Sequence, residues 1–148
     1  MQSRHTGLVE DLRSRITGIG KSRINKLEEG VVPFGVAAID AALPEHGLAC
    51  GALHEMAGAG PDIEHGCAAA LLAAGVLGRR RGTVLWVVER PGLFAPALSQ
   101  VGLHPDRVMV AQAGRPDGVL LAMEEGLRHR GLAGVVGELG GRLTLTHS

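Results

Sequence analysis

Gly58-Ala59-Gly60-Pro61-Asp62-Ile63-Glu64-His65-Gly66-Cys67-Ala68 is the stretch of this chain with the strongest chemical expectation attached to it. Glycines between a strand and a helix let backbone N–H groups turn inward on an anion, and the loop G-x-x-x-x-G-K-[ST] uses this to cradle the phosphates of a nucleotide. Its lysine reaches the β- and γ-phosphate oxygens and its hydroxyl holds Mg²⁺. Gly58, Gly60 and Gly66 are the candidate residues for such a loop, with Gly58 and Gly66 as its framing pair. That pair is three residues too far apart, Cys67 stands at the lysine position and Ala68 at the hydroxyl position. Asp62 and Glu64 add negative charge where a triphosphate would lie. Two unit charges about 4 Å apart repel by roughly 1–4 kcal/mol at effective dielectrics between water and a protein surface. The stretch therefore predicts a degenerate phosphate loop, no ATP hydrolysis and no cofactor. A weak anion site at the start of the following helix remains open.

Other residues that could do chemistry are weaker. Gly20-Lys21-Ser22 spells the end of a phosphate-loop motif, but Arg15 stands where its first glycine should be, and a helical pattern precedes it instead of a strand. Glu89 sits beside Arg90 and reads as half of a surface ion pair. His46, His54 and His65 have no regular metal-ligand spacing, and Cys50 and Cys67 form no CxxC, so no metal is expected. Ser99 lacks the G-x-S-x-G context of a nucleophile. Glu124 and Glu125 read as solubilising. Arg79-Arg80-Arg81 and Arg128-His129-Arg130 each end an expected helix, where cations oppose the macrodipole at about 0.3–1 kcal/mol apiece. A phosphate-contacting role is the alternative for both runs.

The 148 residues that must position these groups suit one domain. With 45% apolar and 20% charged residues the chain reads as globular, and 15 basic against 15 acidic side chains give no global pull toward nucleic acid or an anionic membrane. Trp86, Phe34 and Phe94 are the sole aromatics, too few for gripping single strands by base stacking. The thiols and the lack of a long apolar run point to a reduced, cytoplasmic protein.

Residues 1–26 hold six Lys/Arg against two acids, and Leu8, Val9, Leu12, Ile16 and Ile19 recur at helical spacing. Residues 1–30 are thus expected to be a basic helical arm, packed on the rest or docking on a partner, and residues 31–148 an incomplete α/β domain. Phe34–Leu43 predicts a short helix and Ala52–Ala57 a first strand before the glycine loop. A helix over Gly66–Leu77 and a buried strand over Thr83–Val88 follow, the latter a continuous apolar, β-branched run. Next come a helix at Phe94–Val101, a third strand at Val108–Ala111, a helix at Gly118–Arg130 and a fourth strand at Leu132–Leu139. A short strand fits Leu143–Thr146. Crossovers of this length predict right-handed βαβ units and a parallel sheet.

Several residues in this order resemble the opening of a RecA-like ATPase core: Asp40 and Leu43, then Gly47-Leu48-Ala49-Cys50-Gly51, then Leu53 and Glu55. The ordered set Ile39-Asp40, Leu43-Pro44, Gly47-Leu48, Gly51 and His54-Glu55, with Leu85-Trp86-Val87-Val88 and Val135-Val136-Gly137-Glu138, is more similar still to the ImuA family. These are RecA-related accessory proteins of DNA-damage-induced mutagenesis, and they generally lack the P-loop. The resemblance covers roughly residues 34–146. It implies a partial parallel sheet of the P-loop NTPase type in spatial order 3-2-4-1, flanked by helices and shortened at the C-terminus, with strand 1 at an exposed edge. It also implies protein–protein docking in an error-prone translesion assembly. The partners would be an ImuB-like homologue of Y-family polymerases and an error-prone DNA polymerase, with DNA contacted weakly or indirectly, self-association possible and no membrane. The docking surface would be the helix at Leu8–Ile19 or that at Phe94–Val101. In RecA-like ATPases an acid at Glu89 activates the attacking water and an acid near Glu138 holds Mg²⁺. Gly137 is the rival equivalent of the second position, which would leave a metal without its ligand. An active ATPase with an atypical P-loop and a SulA-like division inhibitor are the alternative functions.

Overall fold

The computed structural model describes residues 30–60 and 62–140 (the backbone alone at 62–64). The expected arm with its Leu8–Ile19 helix and the expected strand at Leu143–Thr146 lie outside the described residues. The chain divides into two compact units, one ending at His54 and the other beginning at Glu55.

The first unit is built on a two-stranded antiparallel ribbon. β1 (Val31–Val32) pairs with β2 (Leu48–Ala49), Val31 opposite Ala49 and Val32 opposite Leu48. A β-carbon at Gly47 would meet the Val32 carbonyl oxygen at 2.8 Å, so only glycine lets the chain pass this close. Between the strands lie α1 (Ala37–Asp40) and a 3₁₀ turn at Pro44–His46. The helix is far shorter than the Phe34–Leu43 expected. The Asp40 carboxylate accepts the Phe34 and Gly35 N–H groups at 2.7 and 2.9 Å, so the preceding residues form a turn held from below by the acid. That gives Asp40 of the recognised pattern a structural task.

The second unit is a three-stranded parallel sheet between helices. In chain order it contains α2 (Asp62–Gly78), β3 (Thr83–Val88), α3 (Ala95–Gln100), a 3₁₀ turn (Pro105–Arg107), β4 (Val108–Gln112), α4 (Pro116–Leu127) and β5 (Leu132–Glu138). The strands lie in the order β4-β3-β5. Val84 stands beside Val108, and Val88 beside Gln112 on one flank and Glu138 on the other. β3 is the buried middle strand because its run of β-branched and aromatic residues suits a surface covered on both faces. Val84, Trp86 and Val88 join Ala74 of α2, Leu98 of α3 and Leu103 in one core cluster. Burying each large apolar side chain there contributes about 1.5–3 kcal/mol. On the other face α4 packs on β5 and β3. Close approach depends on bare backbone: a β-carbon at Gly134 would strike Leu77 of α2, and one at Gly126 would strike Leu85 of β3.

The expected strand at Ala52–Ala57 is not formed. These residues are irregular chain, Leu53 is 86% exposed, and the division between the two units falls within them. The apolar residues Ala52, Leu53, Met56 and Ala57 do not alternate with polar ones, so the segment offers no single face to bury. Among the described residues β5, and no fourth strand, therefore borders the sheet. No helix among the described residues is long and apolar enough to cross a membrane.

α2 ends in an unexpected way. Arg79, Arg80 and Arg81 were the expected countercharges, yet Arg107, just before β4, reaches back to the open carbonyls. Its guanidinium donates to Gly82 at 2.9 Å, to Gly78 at 3.4 Å, to Leu77 at 3.5 Å and to Arg80. One planar fork thereby satisfies carbonyls that a helix end otherwise leaves open. Replacing it should strand several of them: Arg107→Ala should lower unfolding free energy by about 1–3 kcal/mol in urea titrations. Arg107→Lys should recover a minor part, since an ammonium cannot span the same set.

Candidate functional site

The candidate residues gather at the carboxyl ends of the strands, the side of an open α/β sheet where ligands usually bind. Glu89 follows the last residue of β3 and Glu138 ends β5, so register alone makes them neighbours. Their carboxylates are already engaged. Trp86 is fully buried, and its indole N–H donates to Glu138 Oε1 at 2.6 Å. A buried indole without an acceptor would carry the full desolvation penalty of its N–H. Glu138 therefore completes the core at the point where its carboxylate meets solvent. Glu89 Oε2 accepts the Gly140 N–H at 3.3 Å and so holds the chain leaving β5. The expected Glu89–Arg90 ion pair is absent among the described residues: Glu89 and Arg90 lie in the bend that follows β3, and the Gly140 N–H takes the Glu89 carboxylate.

Gly137, the rival metal position, faces the other way. A β-carbon there would collide with Met123 Sδ and lie 3.0 Å from Val119 Cγ1, both on α4. The space that a carboxylate would need at this position is filled by the helix.

The glycine loop is also occupied from within. β-carbons at Gly58 and Gly60 would both strike His65, at its Cβ and at its ring respectively. His65 lies on the first turn of α2, and the two glycines let the loop close over it. Gly66 faces open space, and Cys67 and Ala68 are exposed. The structure thus brings Gly58 and Gly60 together around an imidazole and leaves Gly66 apart. His54 Nε2 donates to the Ala49 carbonyl at 2.8 Å within the first unit. Among the described residues no three His, Cys, Asp or Glu side chains converge on a point suited to a metal ion. The sequence reading missed two of these partnerships: that Trp86 needs an acceptor, and that His65 is what the glycines accommodate. The first had a signal, since a single tryptophan in a strongly apolar strand predicts a buried N–H seeking an oxygen.

Two curated proteins match the chain. Both are Protein ImuA of Caulobacter vibrioides, from strain NA1000 / CB15N and from strain ATCC 19089 / CIP 103742 / CB 15. Each is 37% identical over 112 residues, covering 73% of this chain and 46% of the relative, so the chain spans about half the length of the curated relatives it matches. No family model and no solved structure matches. The chain belongs to the ImuA family.

Two sets of variants test the site geometry. Glu138→Gln keeps an acceptor for Trp86 and should cost little, whereas Glu138→Leu should cost about 1–3 kcal/mol in urea unfolding followed by tryptophan emission. Gly58→Ala forces a β-carbon into the His65 Cβ and should destabilise by about 1–3 kcal/mol, as overpacking does. Gly60→Ala meets the movable ring and should cost clearly less; equal costs would contradict the packing described.

Proposed function

We propose that this member of the ImuA family is a catalytically degenerate RecA-like domain that serves damage-induced mutagenesis by docking proteins together. Family membership carries the reading. The RecA-like assignment is supported by a parallel sheet with helices on both faces, preceded by a turn braced by Asp40. The loss of catalysis is supported at three points. Cys67 and Ala68 replace the lysine and hydroxyl that hold phosphate and Mg²⁺. The loop glycines close on His65. Glu138 accepts from a buried indole, which commits one of its two oxygens.

On this reading the protein works in the cytoplasm, as part of the SOS response and of translesion synthesis. It bridges an ImuB-like homologue of Y-family polymerases to an error-prone DNA polymerase. The segment around α3 is a suitable docking element. Leu98 anchors it in the core while Phe94, at its start, is 69% exposed and free to enter a partner's pocket.

Calorimetric titration of Mg-ATP into the protein should give no saturable heat. One-to-one binding would instead favour an ATPase with an atypical loop. Expression in a strain lacking its own copy should restore ultraviolet-induced mutation frequency. Phe94→Ala should lose that restoration while leaving stability within about 0.5 kcal/mol, as surface changes do. Cell filamentation without any gain in mutation would favour a division inhibitor and sink the proposal.

A further inference from the structure

The amino ends of the three parallel strands carry most of the cations of the second unit. Arg79, Arg80 and Arg81 lead into β3, Arg107 into β4, and Arg128 and Arg130 into β5. Strand register aligns these entries: Val84 lies beside Val108 and Thr83 beside Leu132. Neighbouring strands lie about 4.8 Å apart, so the three connections form one continuous row. Arg107 bonds the Arg80 carbonyl and ties two of them together. The acids on this edge are Asp106, beside His104, and Glu124 and Glu125, which both pair with Arg128 at 2.6 and 3.1 Å. Among the described residues six arginines thus share this edge with three acids, and Arg81, His129 and Arg130 are exposed. The opposite edge has the reverse sign, with Glu89, Asp117 and Glu138 against Arg90 and Arg115. A chain with zero net charge therefore contains a unit with a basic and an acidic edge.

We infer that the amino edge of the sheet is a binding site for the phosphate backbone of nucleic acid, engaged without regard to base sequence. Every Lys/Arg residue between positions 30 and 140 is arginine. The guanidinium fork matches phosphate oxygens in pairs and is weakly hydrated, which suits repeated phosphodiesters. Among the described residues the edge presents no Trp, Tyr or Phe for stacking, only the smaller imidazoles of His104 and His129: Trp86 is buried, and Phe94 starts α3 after the carboxyl end of β3. Contacts are then to the backbone alone, and affinity follows counterion release. The proposal is independent of the mutagenesis reading, because it rests on charge placement within one unit.

The test is fluorescence anisotropy of a short labelled DNA duplex titrated with the whole chain at several salt concentrations. Binding is expected in roughly the micromolar range at low salt, weakening as salt rises. Arg81→Gln with Arg130→Gln should flatten the slope of log affinity against log salt by about 1.8, two phosphate contacts' worth. Arg81→Gln alone should give half of that, and both variants should keep the wild-type melting temperature, since neither side chain is buried. An unchanged slope would overturn the proposal and shift attention to the basic residues 1–26. Displacement of the duplex by polyglutamate as readily as by unlabelled DNA would also overturn it, in favour of an acidic protein partner.

Discussion

The hydrogen bond from the Trp86 indole to Glu138 organises the second unit more than any other single interaction. An indole brings a large apolar surface into the core and one N–H that must not go unpaired. By drawing that N–H to the end of β5, the bond connects the middle strand to the sheet's border. It places Trp86 on the face shared with Ala74, Val84, Val88, Leu98 and Leu103, and so sets which residues of β3 look toward α2 and α3. Strand periodicity then turns Leu85 toward α4, where Gly126 makes room for it. A slip of one residue would put the indole on the wrong face and leave the carboxylate without its donor.

The same constraint fixes what the two acids at this end of the sheet touch. Glu138 and Glu89 end up adjacent because their strands are adjacent, and each takes the nearest donor the fold offers, an indole and a backbone amide. At the glycine loop the histidine side chain fills the volume that the missing β-carbons leave. The features that resemble a nucleotide site are therefore packed against the protein's own atoms.

Local pattern made the second unit legible in advance wherever it was strong. The Thr83–Val88 run announced a doubly covered strand, and Val108 and Leu132 marked the starts of its two neighbours. Pattern failed where long-range partners decide. Ala52–Ala57 has no β-branched residue and no alternating face, and among the described residues no strand pairs with it. Phe34–Leu43 has helical spacing, yet the Asp40 carboxylate captures the Phe34 and Gly35 amides and holds that end as a turn. The helix-ending role of Arg107 was invisible because its acceptors lie up to 30 residues away. Three arginines next to the same helix end made a nearer and more plausible answer. The fit of His65 between Gly58 and Gly60 was obscured differently, since the glycines' spacing invited comparison with a loop built for another occupant.

Synthesis order gives the Trp86–Glu138 bond a further meaning. The donor and acceptor are 52 residues apart, and the middle strand is made before either of its neighbours. A parallel strand cannot close on a local hairpin, so β3 emerges from the ribosome with both edges open. At translation rates of about 5–20 residues per second, the indole waits roughly 3–10 s for its carboxylate. During that interval the most apolar strand of the parallel sheet is also the least protected. The nascent chain thus depends on α2, already made and able to cover one face, to keep Thr83–Val88 from pairing with something else.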